Sequence, residues 1–114
     1  SKNQMLNKLN SIPEDTPFHM MNALWFKANG GLEKYRNYLR EAAPITAKYG
    51  AEASMIMTPM DALIGRFDAD LLFFVEWPNK AAFLAMIADP DYKAISHLRE
   101  EAITGSYLVP CLPA

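Results

Sequence analysis

The stretch "LLFFVEWPNK", residues 71–80, carries the strongest structural signal in the chain. Five apolar residues are followed by a carboxylate and a tryptophan, and a Pro-Asn pair then interrupts the run. A short apolar run bounded by turn residues is typical of a buried strand, so we predict a strand over 71–77. Asn79 is a suitable N-cap for a helix that follows directly. Glu76, a charged residue at the end of this strand, therefore needs a physical explanation.

The rest of the chain alternates between strand and helix signals around this segment. We predict strands over 18–27, 51–60, 71–77 and 106–112, a helix over 31–49 that contains Pro44 and is ended by Gly50, and a loop or wide hairpin over 61–70. A second helical region begins at Asn79, restarts at Asp89 with Pro90 as its first helical residue, and runs to about Ile103. Pro44 removes one hydrogen bond inside its helix, which predicts a kink or a tightened last turn.

This order, β-α-β-β-α-β, is that of a ferredoxin-like α+β domain with a four-stranded antiparallel sheet. Its usual strand order places the first and third strands in the centre, and two helices cover one face. The first and third strands are apolar on both faces, so the helix-free face needs a cover. A second copy of the chain would supply it, and we therefore predict a homodimer.

An N-terminal segment precedes this domain. Residues 3–9, "NQMLNKL", place three apolar side chains on one helical face, and "SIPEDTP" breaks the pattern with two prolines. We predict that residues 1–17 are a helical extension and linker that pack against the main body, and that residues 18–114 are the ferredoxin-like domain.

Composition excludes several classes of protein. The 114 residues are enough for one domain, and 51% of them are apolar, which suffices for a core. A net charge of −2 without a basic run argues against a nucleic-acid partner. No run approaches the roughly 18 apolar residues of a membrane span. A single cysteine, Cys111, excludes an internal disulfide, so we expect a cytoplasmic protein.

We expect no metal and no cofactor. The two histidines, His19 and His97, lack metal-ligand spacing, and a lone histidine is weak evidence for a haem ligand. The chain has no glycine-rich phosphate loop and no nucleophile elbow.

Two charged residues are candidates for a pocket between the sheet and the helices. Strand alternation puts Glu76 on the opposite face from Phe73 and Trp77. At about 100° per residue, Arg99 falls within the apolar arc of the last helix, whereas His97 does not. We therefore predict that Glu76 pairs with Arg99, or with Arg66 in the preceding loop, at the mouth of the pocket. The alternatives are that Glu76 points to solvent and that Arg99 extends its head group to the rim.

Three further residues complete the candidate pocket. Asn22 shares its strand face with apolar residues, so its amide either joins a structural hydrogen-bond network or faces a cavity. His19 lies on the other face of that strand, and would be the nearest general base if it lined the cavity. Tyr35 packs helix against sheet while its hydroxyl still requires a partner.

Several segments of the chain resemble a known family. "MMNALWFK", "YRNYLREAAPITAKYGAE", "ALIG" and "LLFFVEWPNKAAFLAMIADPDYKAISHLREEAITGSYLVPC" are similar to the domain of unknown function, family 1330, over residues 18–111. The "E-W-P-x-x-A-A-F" turn and the "D-P-x-Y-x-A-I-x-H-x-R-E" helix are the most specific parts. The resemblance implies a dimeric α+β barrel, in which two ferredoxin-like sheets lie face to face. That superfamily includes small monooxygenases, muconolactone isomerases and haem-dependent enzymes, but the family itself has no established reaction.

The sequence thus favours a small-molecule-binding protein with a mostly apolar pocket. If it is an enzyme, analogy of fold suggests a cofactor-free oxygenase or isomerase acting on a small cyclic or aromatic compound. The alternative is a non-catalytic dimeric scaffold or interaction module. A closed cavity with polar residues pointing into it would separate the two.

Overall fold

The chain folds into a four-stranded antiparallel sheet whose helices pack on one face. The computed structural model describes residues 2–114. In chain order the elements are α1 Lys2–Leu9, β1 Phe18–Phe26, α2 Gly31–Lys48, β2 Glu52–Met57, β3 Leu71–Trp77, α3 Lys80–Ala88, α4 Pro90–Ala102 and β4 Ile103–Cys111. The strand order is β2-β3-β1-β4, and each neighbouring pair is antiparallel. The predicted ferredoxin-like α+β fold is confirmed.

The register defines two faces of the sheet. Met20 of β1 lies opposite Val75 of β3 and Pro110 of β4, and residues in direct register share a face. One face, which includes Phe18, Met20, Leu24, Phe73 and Trp77, packs against the helices. The other, which we call the open face, carries His19, Met21, Ala23 and Trp25 of β1, Leu72, Phe74 and Glu76 of β3, and Tyr107, Val109 and Cys111 of β4.

Three strands differ from their predicted limits, β1 by only one residue, since it ends at Phe26. β2 covers Glu52–Met57 rather than 51–60, and a bulge between Ser54 and Met57, with a positive φ of 53° at Met55, interrupts its pairing with β3 before Met57 pairs with Leu72. β4 begins at Ile103, directly after α4, because Ile103 already pairs with Phe26. The last helix and the last strand thus meet without a loop.

The predicted starts of α3 and α4 are confirmed by their caps. Asn79 Oδ1 accepts a hydrogen bond from the Ala82 amide at 2.8 Å, and Asp89 Oδ1 accepts one from the Asp91 amide at 2.8 Å. At the start of α2, Gly31 fits a tight contact, since a Cβ there would lie 2.6 Å from the Ala102 carbonyl oxygen. The α2–α4 packing therefore requires glycine at this position.

Two apolar clusters fill the space between sheet and helices. The first joins α1, the linker and α3 to the Trp77 end of the sheet through Leu9, Ile12, Phe18, Met20, Trp77, Phe83 and Met86. The second joins α2 and α4 to the other end through Leu24, Tyr35, Tyr38, Ala42, Phe73 and Ala102. Val75 and Tyr92 contact both clusters. The candidate site lies where the clusters meet.

Within residues 2–114, no helix has both the length and the apolar character that crossing a membrane would require.

Candidate functional site

A cavity of about 390 Å³ lies between the sheet and the helices. Its floor comes from β1 and β3, and its roof comes from α2, α3 and α4. The lining is mainly apolar and aromatic; it includes Met20, Phe73, Val75, Trp77, Ala42, Phe83, Met86 and Ile87. A space of this size and character suits a small organic ligand, since binding pockets run from about 300 to 1,000 Å³.

The cavity reaches solvent at the edge between α2 and β2. Its lining residues Ala43, Ala53 and Ile56 are exposed there. At the other end, Met5 of α1 lines both this cavity and an adjoining depression of about 300 Å³, and Met20 is also shared by the two. The N-terminal extension therefore forms part of the cavity wall.

Arg99 is the one positively charged group in the described lining. Its Nη2 atom is buried and has no hydrogen-bond partner among residues 2–114. No aspartate or glutamate of the described chain lines the cavity. The cavity thus combines apolar walls with an uncompensated guanidinium.

Neutral hydroxyl groups surround this arginine. The hydroxyls of Tyr38 and Tyr92 are 2.8 Å apart and hydrogen-bonded. Burial raises the pKa of Tyr35 and of Tyr38 well above the ordinary tyrosine value, and the charge of Arg99 opposes the rise at both. Both tyrosines remain protonated at neutral pH, so they offer hydrogen-bond donors rather than bases.

Asn22 is buried in the floor of the cavity, as one of its two predicted roles required. Its Nδ2 donates a hydrogen bond to the Met20 carbonyl at 3.2 Å. An amide has a second N–H and a carbonyl oxygen as well. Asn22 therefore has a structural bond to its own strand and further capacity for a ligand.

The predicted pairing of Glu76 with Arg99 is wrong. Glu76 lies on the open face, where its Oε1 is 3.6 Å from Nδ1 of His19 in the neighbouring strand. Arg99 lies on the other side of the sheet, in the cavity. The strand alternation and the helical arc are both as predicted, but the helices cover only the face that Glu76 does not occupy.

The remaining predicted residues divide between cavity and surface. Tyr35 lines the cavity with Asn22 and Arg99. His19 belongs to the open face, so it is not a base for the cavity. Arg66 is exposed in the loop between β2 and β3 and is not part of the lining.

Nothing in the sequence directly indicates that the hydroxyl groups of Tyr38 and Tyr92 are in contact. They lie 54 positions apart on different helices, and only the packing of α2 against α4 brings the two hydroxyls together. The sequence offers one indirect signal: a buried tyrosine hydroxyl needs a hydrogen-bond partner, so tyrosines on two packed helices are candidates for contact with each other.

No group of three or more His, Cys, Asp or Glu side chains within residues 2–114 is arranged to hold a metal ion. The expectation that no cofactor is required stays a prediction.

The fold and the cavity define a class: a ferredoxin-like α+β domain with a mainly apolar pocket between sheet and helices. Residues 30–110 match the family described as "Domain of unknown function (DUF1330)", which confirms the resemblance seen in the sequence. The chain belongs to this family. No curated protein matches the chain.

Solved structures show the same architecture. A protein of unknown function from Rhodopseudomonas palustris is 26% identical, with a TM-score of 0.87 over 97% of this chain and 92% of that one. A dabb family protein with a ferredoxin-like fold from Mesorhizobium loti is 14% identical, with a TM-score of 0.59 over 86% of this chain and 97% of its own. A protein from Bacteroides thetaiotaomicron, named as a candidate antibiotic biosynthesis monooxygenase, is 14% identical, with a TM-score of 0.60 over 86% of this chain and 90% of its own. The last two comparisons bear on the fold alone.

Proposed function

We propose that this protein is a homodimeric, cytoplasmic small-molecule-binding protein whose ligand occupies the cavity between sheet and helices. The observation that carries the proposal is the cavity itself: about 390 Å³, mainly apolar, with Asn22, Tyr35 and Arg99 in its lining. A few polar groups in an apolar pocket are the usual composition of a binding site.

Chemistry at this site would have to proceed without a protein base. Among the described lining residues there is no histidine, aspartate, glutamate or cysteine, and the buried tyrosines are protonated. An isomerase that abstracts a proton from carbon needs such a base. Cofactor-free oxygenation also begins with removal of a substrate proton, because O2 accepts electrons from the resulting anion. The described lining residues therefore support ligand binding more strongly than either reaction suggested by the fold.

The alternative function is a non-catalytic dimeric scaffold or interaction module. One observation favours it: in the loop between β2 and β3, Leu63 is 100% exposed and Ile64 is 97% exposed. Exposed apolar side chains of this kind mark contact surfaces when they form a patch.

Binding of a neutral fluorescent probe separates the two functions. We expect N-phenyl-1-naphthylamine to bind with one site per chain in a fluorescence titration. Ala42→Leu, which fills the cavity at a buried lining position, should weaken binding at least tenfold. Ala85→Leu adds the same volume on the exposed side of α3 and serves as the control. Absence of saturable binding, or equal binding by both variants, would reject the pocket and favour the scaffold.

A further inference from the structure

Arg99 places an unpaired positive charge inside a cavity that has no acidic side chain in its described lining. Its buried Nη2 has no hydrogen-bond partner within residues 2–114. Each ion pair observed in that part of the chain involves other residues. The charge is therefore not compensated by the described chain.

Arg99 is partly buried, and its buried Nη2 atom without a hydrogen-bond partner is energetically unfavourable in the empty cavity. Guanidinium does not lose its proton at any physiological pH, so the charge is permanent. A buried charge without a partner carries a desolvation cost that an anion and its hydrogen bonds would offset. The proposed second subunit would cover the open face, on the other side of the sheet, so its apolar sheet residues would not supply that anion.

We infer that the ligand of this cavity is an organic carboxylate: an apolar, aromatic or alicyclic body with its carboxylate on Arg99. The inference rests on the proposed small-molecule function and specifies the class of ligand. The planar guanidinium fork matches a carboxylate through two parallel hydrogen bonds. Tyr35 lies close enough for the charge of Arg99 to act on its hydroxyl, and with Asn22 it offers neutral groups in the same cavity.

The apolar walls argue for an organic anion rather than an inorganic one. Phe73, Trp77 and Phe83 present aromatic surface to the cavity. A small inorganic ion at Arg99 would leave this surface in contact with water, whereas an aromatic body would bury it. The aromatic walls would thus contact the apolar body of the ligand, and Arg99 would bind its carboxylate.

A pair of probes that differ only in charge tests the inference on the full-length chain. Isothermal titration calorimetry would compare 2-naphthoate with 2-naphthamide in the wild type, Arg99→Met and Arg66→Met. The wild type should prefer naphthoate at least tenfold, the range for a hydrogen bond to a charged group. Arg99→Met should abolish the preference while it retains naphthamide binding. Arg66→Met, the same substitution on an exposed loop, should keep the wild-type preference for naphthoate.

A second measurement reports on the arginine without a ligand. The Tyr35 hydroxyl interacts with the guanidinium of Arg99, so in the ligand-free protein Arg99→Met should lower the urea midpoint no more than Tyr35→Phe does. A clearly larger loss in Arg99→Met would reveal an anionic structural partner and overturn the inference.

The outcomes distinguish this inference from the proposed function. Equal affinity for both probes in the wild type would retain the pocket and overturn the carboxylate. Failure of both probes and of the neutral fluorescent probe to bind would overturn the proposed function and the inference with it. A third outcome is that sulfate or chloride raises the urea midpoint as much as 2-naphthoate does, and only in proteins that retain Arg99. That result would show an inorganic anion site and would also overturn the inference.

Discussion

Glu76 is the last residue but one of β3 and lies on the open face, where its neighbours in the adjacent strands are polar. Across the sheet it lies opposite His19 on one side and Glu52 on the other. Its side chain is 56% exposed and that of His19 is 44% exposed. The ion pair forms only when the imidazole is protonated, and exposed pairs of this kind contribute about 0–1 kcal/mol. Glu76 is therefore a partly solvated residue at the edge of the open face.

A double-mutant cycle tests this placement. We expect Glu76→Gln and Arg99→Met to have additive effects on the free energy of unfolding, with coupling below about 0.5 kcal/mol, because the two residues lie on opposite faces of the sheet. Urea unfolding at one protein concentration provides the measurement. Coupling above about 1 kcal/mol would contradict the placement. The pair Glu76→Gln and His19→Gln, which are neighbours, is the matched comparison.

Asp89 is the carboxylate with the most internal partners in the described chain. It caps α4, accepts a hydrogen bond from the Tyr49 hydroxyl at 2.6 Å and forms an ion pair with Lys48. The hydrogen bonds from Lys48, Tyr49 and the Asp91 amide, in that order, lower the pKa of Asp89 to about 2. The side chain of Asp89 therefore connects the end of α2 to the start of α4.

The lowered pKa makes stability depend on pH in a defined direction. The folded state favours the ionised carboxylate, so the contribution of Asp89 is fully present above about pH 4 and is lost as pH falls through about 2. Asp89→Asn should therefore lower the urea midpoint at pH 6 by more than at pH 2.5. Asp61→Asn, on an exposed loop, should not lower the urea midpoint at either pH. An equal deficit for Asp89→Asn at both pH values would show that the charge contributes nothing.

At the scale of elements, the N-terminal extension is fixed to the domain by apolar contacts. Leu9 and Ile12 are only 4% and 3% exposed and belong to the same cluster as Trp77 and Phe83. Lys80 Nζ adds a hydrogen bond to the Ile12 carbonyl at 2.7 Å. The Rhodopseudomonas palustris structure matches 97% of the chain, so most of this extension has a counterpart there.

Shortening the side chain of Leu9 measures how much the packing of the extension contributes to stability. Leu9→Ala should destabilise the protein by roughly 2–5 kcal/mol, the range for a buried leucine. Leu63→Ala, a fully exposed leucine, should change stability by less than about 0.5 kcal/mol. A loss below about 1 kcal/mol at Leu9 would contradict firm packing of this part of the extension. The division of the chain at residue 17 stays a prediction.

In a single chain, the open face exposes apolar side chains of the sheet. Tyr107 and Val109 of β4 are 52% and 41% exposed there. One end is covered by the loop after β2, where Phe67 packs against Trp25 with ring centroids 5.9 Å apart. The rest of the face supports the proposed homodimer, because an apolar sheet face gains stability when a second sheet covers it.

A charge on the open face should separate the subunits. We expect the wild type to scatter light as a particle of about twice 12.8 kDa, and Val109→Glu to scatter as one chain. Val109 is exposed in the single chain, so the variant should still fold. Ser106→Glu places the same charge on the other face of β4 and should remain dimeric. A wild-type monomer at micromolar concentration, or a dimeric Val109→Glu, would contradict the proposal.

Local sequence patterns were sufficient to predict the order of the elements, the caps of α3 and α4 and the assignment of residues to sheet faces. These properties depend on local chemistry: Asn79 and Asp89 cap helices wherever they precede one, and alternation along β3 separates Glu76 from Phe73 in any sheet. The bulge in β2 escaped prediction, because the positive φ at Met55 leaves no clear signal in the residue types.

The set of polar residues that share the cavity depends on how the helices pack on the sheet. Periodicity places Arg99 on the inner side of its helix, but it carries no information about which sheet face that helix covers. The packing of α2 and α4 against one face brought Arg99, Asn22 and Tyr35 together and left Glu76 and His19 on the other side. Long-range packing sets such contacts, because residues that are distant in sequence meet only after the chain has folded.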